Sequence, residues 1–255
     1  MRFAAIILGC AAMLATPVQA QDADDLRERW ERNKDLQTGS RLKRSSESPD
    51  KGKLRDMQKR VARCVVFNDK DLSRRMVAAS DTSNIDYDSL GMSPNELFDN
   101  LDVQNCMGRA SRGRSSAMFM SIPMRTLRNL MVEEVYLMDQ SEPILVSESD
   151  PRILTNRFYA QGNSRGAEMT AELSDCIVYF SPSEAHEFLN TRPGSGKESK
   201  ALDGLYAALI TCAGDGMAEA DIDMSSMRMV IADGLYARMQ YDQSADAAAT
   251  DEGGE

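Results

Sequence analysis

Four cysteines recur at matching positions in two halves of the chain, and they constrain its fold more than any other feature. Cys64 opens the string Cys-Val-Val-Phe, and Cys176 opens Cys-Ile-Val-Tyr. Cys106 begins Cys-Met-Gly and Cys212 begins Cys-Ala-Gly, so each half contains one cysteine, a long gap and then Cys-x-Gly. This arrangement indicates that one structural unit has been used twice.

Two longer segments support a duplication. Residues 57–67 align with 169–179, and residues 124–136 align with 224–236. The second alignment places like residues together: Arg128 on Arg228, Leu130 on Val230, Glu133 on Asp233 and Val135 on Leu235. A period of about 100 residues is that of a duplicated domain and not of a solenoid, whose repeats are shorter.

The cysteines are expected to form one disulfide within each half. Four cysteines allow three pairings. Duplication favours Cys64–Cys106 and Cys176–Cys212, because an ancestral single unit could only close on itself. Each bridge would close a loop of about 40 residues and contribute about 4 kcal/mol in the chain-entropy model, which makes both bridges structural.

Apolar residues recur with helical spacing in both halves, and such stripes need a core to cover them. The stripes are Met124, Leu127, Leu130, Met131, Val135 and Met138, and then Met227, Val230, Ile231 and Leu235. We predict an all-α protein with two tandem helical repeats of about four helices each, at 54–140 and 166–241, joined by a connector at 141–165. The best candidate for a strand is Ile153 to Tyr159, in the connector.

Helix starts are marked by capping patterns. Ser93-Pro94-Asn95-Glu96 and Ser181-Pro182-Ser183-Glu184 each have the pattern of a capping box with proline in the first turn. Asn68-Asp69-Lys70-Asp71 takes the place of the second box in the first half. The preceding helices are expected to end at Cys64 and Cys176, with helical continuation through the β-prone residues that follow as the alternative to a short strand.

The first residues have the layout of a secretory signal peptide. Arg2 precedes an apolar run from Phe3 to Leu14, and small residues follow as far as Ala20. The run is shorter than the roughly 20 apolar residues of a spanning helix, so we expect a signal peptide at 1–20, cleaved after Ala20. The alternative is lipoprotein processing, which would anchor the chain at Cys10.

Both ends of the mature chain are expected to be flexible. Residues 21–53 are rich in positively and negatively charged side chains and poor in apolar ones, a composition that predicts a charged flexible arm. Residues 242–255 are mostly small or acidic, which predicts an acidic disordered tail.

The negative net charge and the predicted export exclude several classes of partner and site. The chain has a net charge of −10, whereas nucleic-acid binding needs clustered cations, so we expect no nucleic-acid partner. No later segment approaches transmembrane length, so we expect no transmembrane segment and a location in the periplasm. In that oxidising compartment an even number of cysteines favours disulfides over metal sites or catalytic thiols.

Three short stretches carry a resemblance to known proteins: Arg63-Cys64-Val65-Val66 with Cys106, Asp175-Cys176-Ile177-Val178 with Cys212, and Ala232-Asp233-Gly234-Leu235-Tyr236. In these stretches the chain resembles a family of uncharacterised exported proteins from alphaproteobacteria, which share a Cys-Val-Val segment, a second cysteine and a closing helix. The resemblance covers about residues 55–240 and implies no activity. The first half departs from it, because Val132-Glu133-Glu134-Val135-Tyr136 replaces the alanine-containing ending.

One motif points to catalysis. Gly162-Asn163-Ser164-Arg165-Gly166 matches Gly-x-Ser-x-Gly, the nucleophile elbow of serine hydrolases, which needs a strand before the serine and a helix after it. His186, the single histidine of the chain, would be the base. No βαβ pattern accompanies the motif, so an interdomain turn is the simpler interpretation. His186 aligns with Arg74 in the first half, and a position filled by both residue types is expected to face solvent.

Methionine-rich stretches are candidates for a metal-binding site. Soft thioethers can ligate Cu(I), and the candidate ligands are Met120, Met124, Met224 and Met227. Packing in the core explains these residues more simply, since methionine fills irregular gaps.

A cluster of basic residues is a candidate contact surface. It consists of Arg109, Arg112 and Arg114 and could contact an acidic partner. Because no catalytic or metal-binding constellation stands out, we expect no cofactor and a non-enzymatic interaction or structural protein of the cell envelope. The alternatives are a serine hydrolase using Ser164 and His186, or a Cu(I)-binding protein.

Overall fold

Helices form nearly all of the regular structure. A computed structural model describes residues 51–111, 122–154, 165–213 and 223–251, with side chains as far as residue 244. The helices within these residues are α1 (Lys51–Asn68), α2 (Lys70–Ala78), α3 (Tyr87–Leu90), α4 (Pro94–Asn100), α5 (Val103–Ser111), α6 (Met124–Asp139), α7 (Arg165–Phe180), α8 (Pro182–Asn190), α9 (Gly196–Ala213) and α10 (Met224–Asp251). The predicted all-α class is confirmed, since the described part contains only one isolated β-bridge, between Ser80 and Ile85.

The two halves use the same order of packing. Helices α6 and α10, which carry the aligned segments 124–136 and 224–236, pack against each other. Helices α1 and α2 pack on α6 in the first half, and α7 and α8 pack on α10 in the second. A duplicated unit would give this arrangement, and the duplication itself stays a prediction.

The apolar stripes form a single core. Leu127, Met131 and Val135 of α6 and Ile231 and Leu235 of α10 are fully buried within it. All described residues belong to one compact unit, Ser46–Glu255. Among the described helices, none combines the length and the apolar content that crossing a membrane would require.

Both predicted disulfides are present. Cys64 of α1 is bonded to Cys106 of α5, with the Cα atoms 5.6 Å apart. Cys176 of α7 is bonded to Cys212 of α9, with the Cα atoms 5.7 Å apart. Each bridge therefore joins the first helix of its half to the helix that precedes α6 or α10.

Two of the three predicted caps form as expected. The Ser93 hydroxyl accepts from the backbone of Glu96, and the Glu96 carboxylate accepts from the backbone N–H of Ser93. Asp69 accepts from the backbone N–H of Leu72 at 2.9 Å. The predicted box at Ser181 is wrong in one respect, because that side chain makes no capping hydrogen bond. Ser181 is the only residue between α7 and α8, and its own N–H still bonds to the carbonyl of Ile177.

Two helices run past their predicted ends. The first helices of the halves do not stop at Cys64 and Cys176 but continue to Asn68 and Phe180, as the alternative interpretation allowed. The β-branched residues after each cysteine are buried against the core, so tertiary packing overrides their preference for strands. Ile153 has no strand conformation, and residues 155–159 of the predicted strand lie outside the described part of the chain.

The predicted tail at 242–255 is wrong over its first ten residues, because α10 continues to Asp251. Elongating an existing helix avoids the cost of nucleation, and the alanines at 247–249 have the highest helix propensity of any residue. Residues 252–255 lie outside the described part. Of the predicted arm at 21–53, the last three residues already belong to α1, and the rest also lies outside.

Gly234 allows α10 and α7 to approach closely. A Cβ atom at this position would lie 2.7 Å from the backbone oxygen of Ser174 and 2.9 Å from Cγ2 of Val178. We expect Gly234→Ala to lower the free energy of unfolding by about 1–3 kcal/mol, although alanine is the better helix former. Urea unfolding followed by circular dichroism measures the change.

Gly204 provides the matched control. It is an exposed glycine within α9, and an added Cβ would meet only the flexible side chain of Glu184, at 3.6 Å. Gly204→Ala is therefore expected to stabilise the protein by up to about 1 kcal/mol. Equal effects of the two substitutions would contradict the close-packing interpretation of Gly234.

Candidate functional site

An open cleft of about 860 Å³ lies between α1, α6 and the start of α10. Most of its lining residues are polar or charged, and they include the hydroxyl-bearing residues Thr82, Thr126, Thr170 and Ser225. Its cationic residues are Lys51, Arg55, Lys59, Arg125 and Arg228, and its acidic residues are Glu133 and Asp223. We call this site the polar cleft.

Helical spacing places these side chains together. Lys51, Arg55 and Lys59 are four residues apart along α1 and therefore lie on one face of that helix. On α6, Arg125, Asn129 and Glu133 have the same spacing. The two faces border the cleft from adjacent helices, since α1 packs on α6.

The inner wall of the polar cleft is a buried ionic cluster centred on Arg228. This guanidinium donates to the carboxylate of Glu133, with Nε 3.1 Å from Oε2, and to Glu198 Oε1 at 3.2 Å. It also donates to the backbone carbonyls of Phe188 and Leu189, at the end of α8. Arg228 is only 5% exposed, so its charge is stabilised by protein groups in place of water.

Two further cations complete the cluster. Arg55 donates to both carboxylate oxygens of Glu198, at 3.0 and 3.1 Å. Lys59 contacts Glu133 and lies 2.9 Å from Oε1 of Glu134. The three cations Arg55, Lys59 and Arg228 are thus matched in number by three buried acids, Glu133, Glu134 and Glu198.

A second buried ion pair joins α6 to α10. Arg128 Nη1 donates to Asp233 Oδ1 at 2.8 Å. Arg128 also donates to the hydroxyl and the carbonyl of Ser80, just after α2. Each arginine therefore binds an acid of the opposite half and a backbone carbonyl near the end of the second helix of its own half.

Sequence reasoning missed this crosswise arrangement. The alignment pairs Arg128 with Arg228 and Glu133 with Asp233, and the structure joins Arg128 to Asp233 and Arg228 to Glu133. Charged residues recurring at equivalent places inside two apolar stripes were the available signal, because a charge on the buried face of a helix needs a partner.

Burial and neighbouring charges act against each other on the two carboxylates of α6. Burial alone would raise the pKa of Glu133, but the charges of Lys59 and Arg228 and their hydrogen bonds outweigh it and lower that pKa. For Glu134, burial is the largest effect and raises the pKa. The positive charge of Lys59 lowers that pKa, and the negative charge of Glu133 raises it again in part.

His186 is buried, so the predicted solvent-facing position is wrong. It is 5% exposed, and its Nδ1 lies 2.8 Å from the hydroxyl of Tyr136 on α6. Helix α8 packs on both α6 and α10, which covers this position. Burial lowers the pKa of His186 and favours the neutral ring. Ser164 lies outside the described residues, so its pairing with His186 stays a prediction.

The methionine candidates divide between the core and the cleft. Met227 is buried, and Met124 and Met224 are half-buried against the core. Met224 also lines the polar cleft, together with Met229. Met120 lies outside the described residues. Within the described part of the chain, no group of three or more His, Cys, Asp or Glu side chains is arranged to hold a metal ion.

The predicted basic cluster is only partly described. Arg109 forms an ion pair with Asp102 at 3.2 Å, and Arg112 and Arg114 lie outside the described residues. The cleft that brings cations together is therefore a different surface from the one that the sequence suggested.

The polar cleft is suited to binding. No histidine or cysteine is among its described lining residues, and its inner charges are held by one another. Its volume lies within the range that is usual for ligand sites in proteins. No protein-family model matches the chain, and comparison with curated proteins and with solved structures finds no match either.

Proposed function

We propose that the protein is an exported, non-enzymatic binding protein of the cell envelope that holds its ligand in the polar cleft. The observation that carries the proposal is an open cavity of about 860 Å³ between helices of the two halves, most of whose lining residues are polar or charged. A sealed apolar contact between the halves would instead favour a purely structural role.

The buried ionic cluster supports a binding role in a second way. Arg228, Glu133 and Glu198 are held by several hydrogen bonds each, which makes the inner wall of the cleft rigid before a ligand arrives. A preformed wall lowers the entropy that a ligand must overcome on binding.

Export is part of the proposal. The signal-peptide pattern at 1–20 and the two disulfides both fit the periplasm, where disulfides persist. We also propose that the halves arose by duplication, since the packing order and the crosswise ion pairs repeat. A binding cleft between halves is then a natural product of joining two such units.

Blocking the cleft tests the proposal. Thr126 lines the cleft, and Thr126→Trp should fill it. The mature protein is screened by thermal shift against defined probes: a glutamate-rich peptide, a lysine-rich peptide, a neutral peptide and a neutral oligosaccharide. We expect at least one probe to raise the melting temperature, and Thr126→Trp to abolish that shift.

Thr211→Trp is the matched control, because Thr211 is an exposed threonine on α9 outside the cleft. It should leave the shift unchanged. If no probe binds, or if a probe binds equally well to Thr126→Trp, the cleft is not the binding site and the proposal fails.

A further inference from the structure

We propose that the ligand of the polar cleft is an acidic peptide segment of a partner protein, whose carboxylates contact Lys51 and Arg125. This inference rests on the proposed function and names the class of its ligand. It is argued from the charges of the cleft, from their pairing and from the apolar residues between them.

The cleft concentrates positive charge in an acidic protein. The chain has a net charge of −10, yet five cationic and only two acidic residues line the cleft. The three inner cations are paired with Glu133, Glu134 and Glu198. The positive potential therefore comes from the two outer cations, Lys51 and Arg125.

These outer cations are available to a ligand. Lys51 and Arg125 are exposed, and neither has an ion-pair partner among the described residues. The remaining acid of the cleft, Asp223, accepts hydrogen bonds from the backbone and the hydroxyl of Ser226 at the start of α10. These bonds hold its carboxylate at the start of the helix, and the cation that acts on its charge is Arg55.

Apolar residues lie between the charges and favour a peptide over a small anion. Leu54 of α1, Leu130 of α6, and Met224 and Met229 of α10 line the same cleft. Lys51 and Lys59 are eight residues apart on α1, about 12 Å along the helix, which an extended chain crosses in about four residues. A segment that alternates acidic and apolar side chains matches this lining, and methionine adapts to varied apolar partners.

The lining also argues against a nucleic acid as ligand. Binding of single strands relies on aromatic side chains that stack on the bases. No Phe, Tyr or Trp is among the described residues that line the cleft.

Binding to a charged peptide and to its neutral counterpart tests the inference. The probes are a short fluorescein-labelled peptide that alternates glutamate with leucine, and the same peptide with glutamine in place of glutamate. Fluorescence anisotropy with the mature protein should give at least tenfold tighter binding to the glutamate peptide, weakening as salt is raised. Arg125→Glu should weaken that binding about tenfold or more.

Arg165→Glu is the matched control, because it makes the same change of charge at an exposed arginine outside the cleft. It should alter the dissociation constant less than twofold. Equal binding of the glutamine peptide, an unchanged constant in Arg125→Glu, or displacement of the peptide by an equal concentration of inorganic phosphate would each overturn the inference.

The failure of this inference can be told from the failure of the proposed function. If a neutral or basic probe binds and Thr126→Trp removes that binding, the cleft is a binding site whose ligand is not acidic. If no probe depends on the cleft, the proposed function itself is wrong.

Discussion

Replacing Arg228 by methionine is expected to lower the free energy of unfolding by about 3–5 kcal/mol, because it leaves buried carboxylates without the cation that they share. Glu133 and Glu198 are 5% and 1% exposed, so water cannot replace the guanidinium. The substitution also removes hydrogen bonds to the carbonyls of Phe188 and Leu189, in the last turn of α8. Chemical unfolding at neutral pH, followed by circular dichroism, measures the loss.

Arg125→Met is the control for the loss of a positive charge from the same cleft. Arg125 is exposed and unpaired among the described residues, so its replacement should change the free energy of unfolding by no more than about 0.5 kcal/mol. A loss below about 1 kcal/mol for Arg228→Met would show that the buried cluster contributes little to stability.

The pH dependence gives an independent check. The pKa of Glu133 is lowered in the folded protein, so its ionised form contributes stability above the unfolded pKa of about 4.3. That contribution is lost as pH falls through the lower folded pKa. In Arg228→Met the carboxylate of Glu133 loses a cation, so its folded pKa rises. As pH falls, Glu133 is therefore protonated at a higher pH in the variant than in the wild type, which removes the cost of its unpaired buried charge. The deficit against the wild type should therefore shrink as pH falls from 7 towards 4.

The fold could be predicted from local patterns that need no knowledge of distant residues. The matching positions of Cys64 and Cys176 and of their partners predicted both disulfides, and the stripes through Leu127 and Ile231 predicted the helices that pack in the centre. Such signals repeat every three or four residues, or recur as whole segments, and they survive in a single sequence.

The site could not be predicted in the same way, because its contacts join distant residues. Arg228 and Glu133 are 95 residues apart, and Arg55 and Glu198 are 143 apart. Long charged side chains are seldom buried without a partner. Since the partner is distant in the sequence, a helical pattern predicts that each of these charged residues is exposed to solvent. His186 was misread for the same reason, because Tyr136, the group that makes its burial possible, lies 50 residues away.

Removing either disulfide is expected to lower the free energy of unfolding by a similar amount, but the two removals should loosen different parts of the structure. The bridges close loops with sequence separations of 42 and 36 residues, so both should contribute about 4 kcal/mol in the chain-entropy model. Cys64–Cys106 holds α5, a helix of nine residues whose main neighbours are α1 and α4. Cys176–Cys212 holds α9, which has eighteen residues and packs along both α7 and α8.

Hydrogen exchange distinguishes the two cases. In Cys64→Ala/Cys106→Ala, the amides of α4 and α5 should exchange faster than those of α6, because helices this short are marginal without tertiary support. In Cys176→Ala/Cys212→Ala, α9 should stay attached through its long contacts, so opening there should require the whole second half to loosen. If α5 keeps its protection after the first pair is removed, burial of Leu97, Leu101 and Val103 alone suffices to hold this part of the fold. The first disulfide would then act mainly on the unfolded chain.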